Sequence, residues 1–228
     1  MLFRDIVTFT GTGIIITALL VSLLSINNDF AKNHFKPIQF FILIGLLISI
    51  NTIQFSHFRI IKSKDTFFIH GILSILQVLL LGIFLLKTIE NRKQLVSGEL
   101  ILFATISIEL FLVFKNYLMG SLKNTSIYVH HTLGNLALIF LCIQFYKDLF
   151  KTKQGVRIIN SPTFWVVSGI FFYNTISSPI YGLFNFIPES QGFKSLKWIL
   201  FQVSNISLIV CYFSIIKAYL CLKHHQNS

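Results

Sequence analysis

Seven runs of apolar residues follow one another through 228 residues, separated only by short polar breaks. Each approaches or exceeds the roughly 20 residues that a helix needs to cross a bilayer. The runs are about 6–25, 38–58, 67–86, 99–118, 127–147, 163–186 and 196–219. In hydrocarbon every backbone N–H and C=O must find its partner inside the protein, so runs of this kind have to be helices. The breaks carry turn-forming or charged residues, among them Asn27-Asn28-Asp29, Lys62-Ser63-Lys64-Asp65, Glu90-Asn91-Arg92-Lys93, Lys151-Thr152-Lys153 and Pro188-Glu189-Ser190. None is long enough for a soluble domain, and there is no low-complexity tract or internal repeat. The expectation is therefore one domain over residues 1–228: all-α, a polytopic membrane bundle of seven transmembrane helices.

Composition agrees, with 54% hydrophobic and only 12% charged residues, where a soluble domain carries roughly 25% charged. The net charge of +11 would otherwise point to nucleic acid. However, the Lys and Arg lie in the breaks or at the ends of the runs, where loops meet water and lipid headgroups, and no segment offers a folded basic face. Nucleic acid is excluded as a partner; the lipid bilayer is the expected one. Cys142, Cys211 and Cys221 fall in or beside apolar runs and imply no disulfide framework. The first run lacks a small-x-small cleavage pattern and is read as a retained span.

Seven spans put the termini on opposite sides. The N-terminal side, A, collects eight Lys and Arg, and the C-terminal side, B, collects eleven. The positive-inside rule then places B in the cytoplasm and the N-terminus outside a bacterial cytoplasmic (inner) membrane.

Polar residues inside the runs recur at helical spacing. His70, Ser74 and Gln77 share a face of run 3, and Tyr128, His131 and Asn135 one of run 5. Asn174, Ser177 (or Ser178) and Tyr181 do so in run 6, Trp198, Gln202 and Asn205 in run 7, and Thr105, Glu109 and Asn116 in run 4. Asn51, Gln54 and His57 form a looser stripe in run 2. Nearly all lie within roughly 18 Å of side A at about 1.5 Å per residue. The B halves are dominated by Leu, Ile, Val and Phe. Hydrogen-bonding groups at one shared depth should face one another. The expected ligand-binding set is therefore Glu109, His70, Ser74, Gln77, His131, Asn135, Asn174, Ser177, Tyr181, Gln202 and Asn205, around a polar cavity open to side A. The plainer alternative is hydrogen-bond glue between helices.

Glu109 stands out, because a carboxylate at that depth costs roughly 2.5–3.5 kcal/mol unless it is protonated or paired. His70 and His131 are its expected partners, as a pH-responsive pair or, together with it, as a metal shell. No HxxxH or HExxH pair supports the metal, and no cofactor is the leading expectation. Pro179 is expected to free the carbonyl of Thr175 and to kink or hinge the helix near the cavity. No lysine lies in the middle of run 7, and there is no phosphate loop, CxxC or nucleophile elbow.

The run Ser161-Pro162-x-Phe164-Trp165-x-x-Ser168-Gly169-x-x-x-Tyr173, with His131-Thr132-Leu133 ahead of it, resembles a signature of small seven-helix membrane proteins common in Bacteroidota, a largely uncharacterised group. The chain departs from it after Tyr173, where Asn174-Thr175-Ile176-Ser177 replaces an expected glycine. The resemblance implies a seven-helix membrane architecture and leans towards sensing. The leading expectation is a sensor or receptor-like subunit that binds a small ligand, proton or ion and relays to a cytoplasmic signalling partner. The alternatives are a metal-dependent intramembrane enzyme acting on lipid and, ranked last, a small transporter. Oligomeric state is not legible.

Overall fold

A computed structural model describes residues 2–25, 29–53, 63–118, 125–152, 158–184, 186–187 and 193–227. Gln54 and His57 lie outside this set. For Asn51, Asn116, Tyr128 and His130 the place on the helix is described, not the side chain.

Seven α-helices carry the chain: α1 (Leu2–Ser25), α2 (Asp29–Ile53), α3 (Ser63–Thr88), α4 (Arg92–Leu118), α5 (Thr125–Thr152), α6 (Pro162–Phe184) and α7 (Lys194–Asn227). A single 3-10 turn, Ile158–Asn160, leads into α6, and there is no strand among the described residues. Among the described residues, four segments are long and apolar enough to cross a membrane: Phe68–Thr88, Arg92–Lys115, His131–Lys151 and Ser195–Lys223. Thr10–Ser25 and Asn33–Ser49 are shorter apolar helices.

The second helix starts well before the apolar run near Ile38, at Asp29, so that Pro37 falls inside it. Proline has no N–H to give to the carbonyl four residues back, which here belongs to Asn33. That carbonyl accepts instead from Lys87 Nζ at the end of α3, at 3.4 Å.

The start of α4 is held more tightly. Asn91 caps it, its Oδ1 accepting from the Lys93 N–H at 3.0 Å. Asn91 in turn donates its own N–H to Asp148 Oδ2 on α5 at 3.2 Å. With its amide nitrogen turned to the same carboxylate, Gln94 donates at 2.7 and 3.1 Å. Asp148 is 6% exposed, while Asn91 is exposed and Gln94 half-buried, so the junction is partly screened from solvent. The B halves of the helices are therefore not purely apolar; several of their polar groups are bonded locally, whereas the buried Tyr219 hydroxyl has no partner. Tyr146 meets Ser168 at 2.9 Å, and Gln39 donates to the Ser22 carbonyl at 3.4 Å.

The packing order decides where a site can form. α1 packs on α2 and α7, α2 on α3, α3 on α5, α5 on α6, and α6 on α7, which closes a ring of six. α4 touches the ring from outside, along α3 and α5. Its outward face is apolar and open, with Phe103 74% and Phe111 65% exposed. The end of the ring where α2 begins and α3 and α7 finish is filled by aromatic rings. Phe35 packs on Phe84 and Tyr219 with centroids 5.6 and 5.7 Å apart. Ile38, Ile42, Leu85, Leu138 and Leu141, none more than 2% exposed, complete this plug. The other end of the ring is not filled in this way.

Asp148→Ala removes the acceptor shared by the Asn91 N–H and the Gln94 amide, a charge-assisted junction that is partly buried. It should lower unfolding stability in detergent by about 1–3 kcal/mol. An unchanged denaturation midpoint would show that the α4–α5 junction is held by something else.

Candidate functional site

Small residues let the helices come close enough for polar side chains to reach across. Gly45 of α2 is one such place: the Tyr212 hydroxyl from α7 occupies the position a Cβ would take, with Gln77 Nε2 at 3.6 Å from it. Gly169 of α6 is another, set against Ser214 Cβ at 2.7 Å and the Cys211 carbonyl at 3.1 Å from the same notional atom. These close approaches tie α7 to α2 and α6 and shape the interior between them.

Inside the unfilled end of the ring is a cavity of about 320 Å³. It is the half of the bundle that faces side A, where α1, α3, α5 and α7 begin. Among the described residues, every helix of the ring contributes to its wall and α4 does not. α3 supplies His70, Ser74 and Gln77, α5 supplies His131, and α6 supplies Tyr173 and Tyr181. α7 adds Phe201, Asn205, Leu208, Ile209 and Tyr212, and α1 and α2 add Gly11, Thr12, Ile15, Phe41, Gly45, Ile48 and Ser49. Six of the eleven residues expected at a polar cavity are thus brought together: His70, Ser74, Gln77, His131, Tyr181 and Asn205. His131 is the joint between helices, its Nδ1 3.2 Å from Ser74 Oγ and its ring stacked on Tyr181 at 4.9 Å and 24°.

The other five are elsewhere, each for a packing reason. Glu109 does not line the cavity, because α4 lies outside the ring and its polar face enters the α3–α5 seam. Its Oε1 sits against Gly134, 2.7 Å from where a Cβ would be, and beside Val78. The carboxyl group is 1% exposed; the Gly134 backbone offers it a hydrogen bond and Oε2 has no partner. The expected Glu109–His pair is not formed. Ser177 faces α7, bonded to Ser204 at 2.9 Å and within 3.5 Å of Ser207. Asn174 donates Nδ2 back to the Ile170 carbonyl of its own helix at 2.6 Å. Asn135 and Gln202 are buried, with Nδ2 and Oε1 respectively lacking a partner. As for a metal shell of His70, His131 and Glu109, the three are not gathered at one point. No group of three His, Cys, Asp or Glu among the described residues is placed to hold a metal ion.

Ser177 belongs to a chain of hydroxyls between α6 and α7. Ser207 donates to the Ser204 carbonyl at 2.7 Å, and Ser204 Oγ donates to the Tyr181 hydroxyl at 3.4 Å. Tyr173 joins through Ser177 and Tyr181. Tyr173 and Tyr181 are at once cavity wall and part of this seam. Pro179 is accommodated within α6, which runs on to Phe184.

Sequence reasoning missed Thr12, Ser49, Tyr173 and Tyr212 in the wall, and Ser204 and Ser207 in the seam. Two signals were there to be used. Gly11-Thr12-Gly13 interrupts the first run at the shared depth, and Ser204, Ser207, Cys211 and Ser214 mark one close-packing face of α7. Nothing in the local sequence separates Tyr212 from its apolar neighbours.

No protein-family model matches the chain, and no curated protein or solved structure matches it either. The site is therefore read from its own geometry.

In a Cys221→Ser background, Asn205→Cys and Ser74→Cys should react with an uncharged, water-soluble thiol reagent at least tenfold faster than Leu138→Cys in the plugged end. Equal rates would mean that water does not reach the cavity.

Proposed function

We propose that this protein is a seven-helix membrane sensor or receptor-like subunit, whose cavity admits a small ligand from side A and whose α6–α7 pair relays occupancy to a partner at side B. The observation that carries this reading is the division of the ring interior into an open polar end and an aromatic plug. The absence, among the described residues, of a polar path through the plugged end favours holding a ligand over passing it on, and a transporter ranks last. Of the three remaining ligand classes, a small molecule suits a cavity at the lower end of the about 300–1,000 Å³ usual for ligand sites.

The relay rests on two features. Tyr173 and Tyr181 touch both cavity and seam, so a ligand that changes their hydrogen bonds changes how α6 sits on α7. α7 is 34 residues long, which at 1.5 Å per residue is about 50 Å against a hydrocarbon core of about 30 Å. It therefore extends well past the membrane on at least one side, within reach of a signalling partner. In this reading all seven helices cross a bacterial inner membrane, the N-terminus is outside and the C-terminus cytoplasmic. The resemblance to seven-helix proteins of Bacteroidota points the same way. The alternative of a lipid-directed metalloenzyme draws no support from the placement of His70, His131 and Glu109.

Two measurements test the proposal. Impermeant labelling of single cysteines should reach a residue before α1 from outside the cell and one after α7 only from the cytoplasm. Labelling of both ends from one side would contradict seven crossings. Metal analysis of purified protein should find no stoichiometric zinc, whereas one zinc per chain lost in His131→Ala would replace the sensor with the metalloenzyme.

A further inference from the structure

The lining of the cavity says what kind of molecule fits it. Among the described residues, no Lys, Arg, Asp or Glu is part of the wall. A formally charged ligand would leave water or headgroups and meet no opposite charge, which is a heavy desolvation cost. Among the described wall residues, only His70 and His131 can carry charge in the neutral range, and His131 is already engaged with Ser74 and Tyr181.

The wall is also two-sided. All six residues from α3, α5 and α6 are polar or hydroxyl-bearing, whereas α1, α2 and α7 contribute Ile15, Phe41, Ile48, Phe201, Leu208 and Ile209. Thr12, Ser49, Asn205 and Tyr212 interrupt that apolar side. The polar side is rich in groups that both donate and accept: the Gln77 amide and the hydroxyls of Ser74, Tyr173 and Tyr181. The Tyr212 hydroxyl has no partner and its residue is 1% exposed. Of the described buried polar groups without a partner, this one lines the cavity, where a bound molecule can satisfy it.

Resting on the reading of the cavity as a ligand site, we propose that it takes an uncharged amphiphile. This would be a small organic molecule with an apolar body against the apolar side chains of α1, α2 and α7 and a hydroxyl-type head group, both donor and acceptor, against α3, α5 and α6, where the Tyr212 hydroxyl comes close to Gln77 at Gly45. A molecule of this kind partitions into lipid, so it would reach the bundle through the membrane phase as readily as through water.

A matched series of naphthalene probes tests the class on the intact protein in nanodiscs at about pH 8, where an ordinary imidazole is neutral. The members are 2-naphthol, naphthalene, 2-naphthoate and 2-naphthylmethylammonium, with binding read as the saturable excess over empty nanodiscs. The expected result is that 2-naphthol binds one per chain, at least tenfold tighter than either charged probe and at least fivefold tighter than naphthalene. The double variant Ser74→Ala/Gln77→Leu, if its unfolding midpoint is kept, should lower 2-naphthol to the level of naphthalene. A charged probe binding tighter than 2-naphthol overturns the uncharged class and leaves a ligand cavity in place. Equal binding of naphthalene and 2-naphthol to the wild type overturns the head-group assignment. No saturable binding by any probe overturns this inference and the ligand-site reading together.

Discussion

A side chain that makes hydrogen bonds cannot face hydrocarbon without cost, and a membrane helix can escape that cost only by turning the group towards another helix. In this chain polar side chains from six helices turn to one shared interior. α3 brings His70, Ser74 and Gln77, α5 brings His131, α6 brings Tyr173 and Tyr181, and α7 brings Asn205 and Tyr212. Turning all of these inward leaves the outer surface to Leu, Ile and Phe and gives the ring its polar lumen. The opposite end obeys the same rule with different residues: where the inward side chains are Phe35, Phe84 and Tyr219, they fill the space and close it.

The same constraint explains why Glu109 is misleading. A carboxylic acid in a membrane helix looks like the centre of a functional site, and its spacing with Thr105 puts it on an inward face. Inward for α4, however, means towards the α3–α5 seam, because α4 is the one helix outside the ring. Gly134 makes room for the carboxyl group there. What holds α4 in that position is clear at one end: Asn91 and Gln94 converge on the buried carboxylate of Asp148.

Much of the fold was legible because its signal is local. The described residues of each apolar run lie on one helix, except Phe186 in the turn after α6, since run length and backbone satisfaction are properties of the segment itself. The shared depth of His70, Ser74, Gln77, His131, Tyr181 and Asn205 was legible for the same reason. Which helices are neighbours was not. Spacing along Glu109, Asn135, Asn174, Ser177 and Gln202 defines a face, but only packing decides whether that face meets a cavity or another helix. Ser177 meets Ser204, and Asn174 turns back on its own helix. Tyr212 shows the opposite failure: its role depends on Gly45, a residue remote in sequence. The start of α2 at Asp29 escaped notice because Pro37 resembles a helix boundary until Lys87 takes up the carbonyl it frees.

The central claim is that six helices enclose a polar chamber and the seventh stands outside it. A side-chain-resolution cryo-electron microscopy map of the protein in lipid nanodiscs tests this most directly. The account predicts a chamber bordered by His70, His131, Tyr181 and Tyr212, holding water or ligand density, with Glu109 separated from it by α3 and α5. A map in which α4 fills the middle of the bundle, with the polar side chains of α3 and α5 closed on one another and no chamber between them, would contradict it.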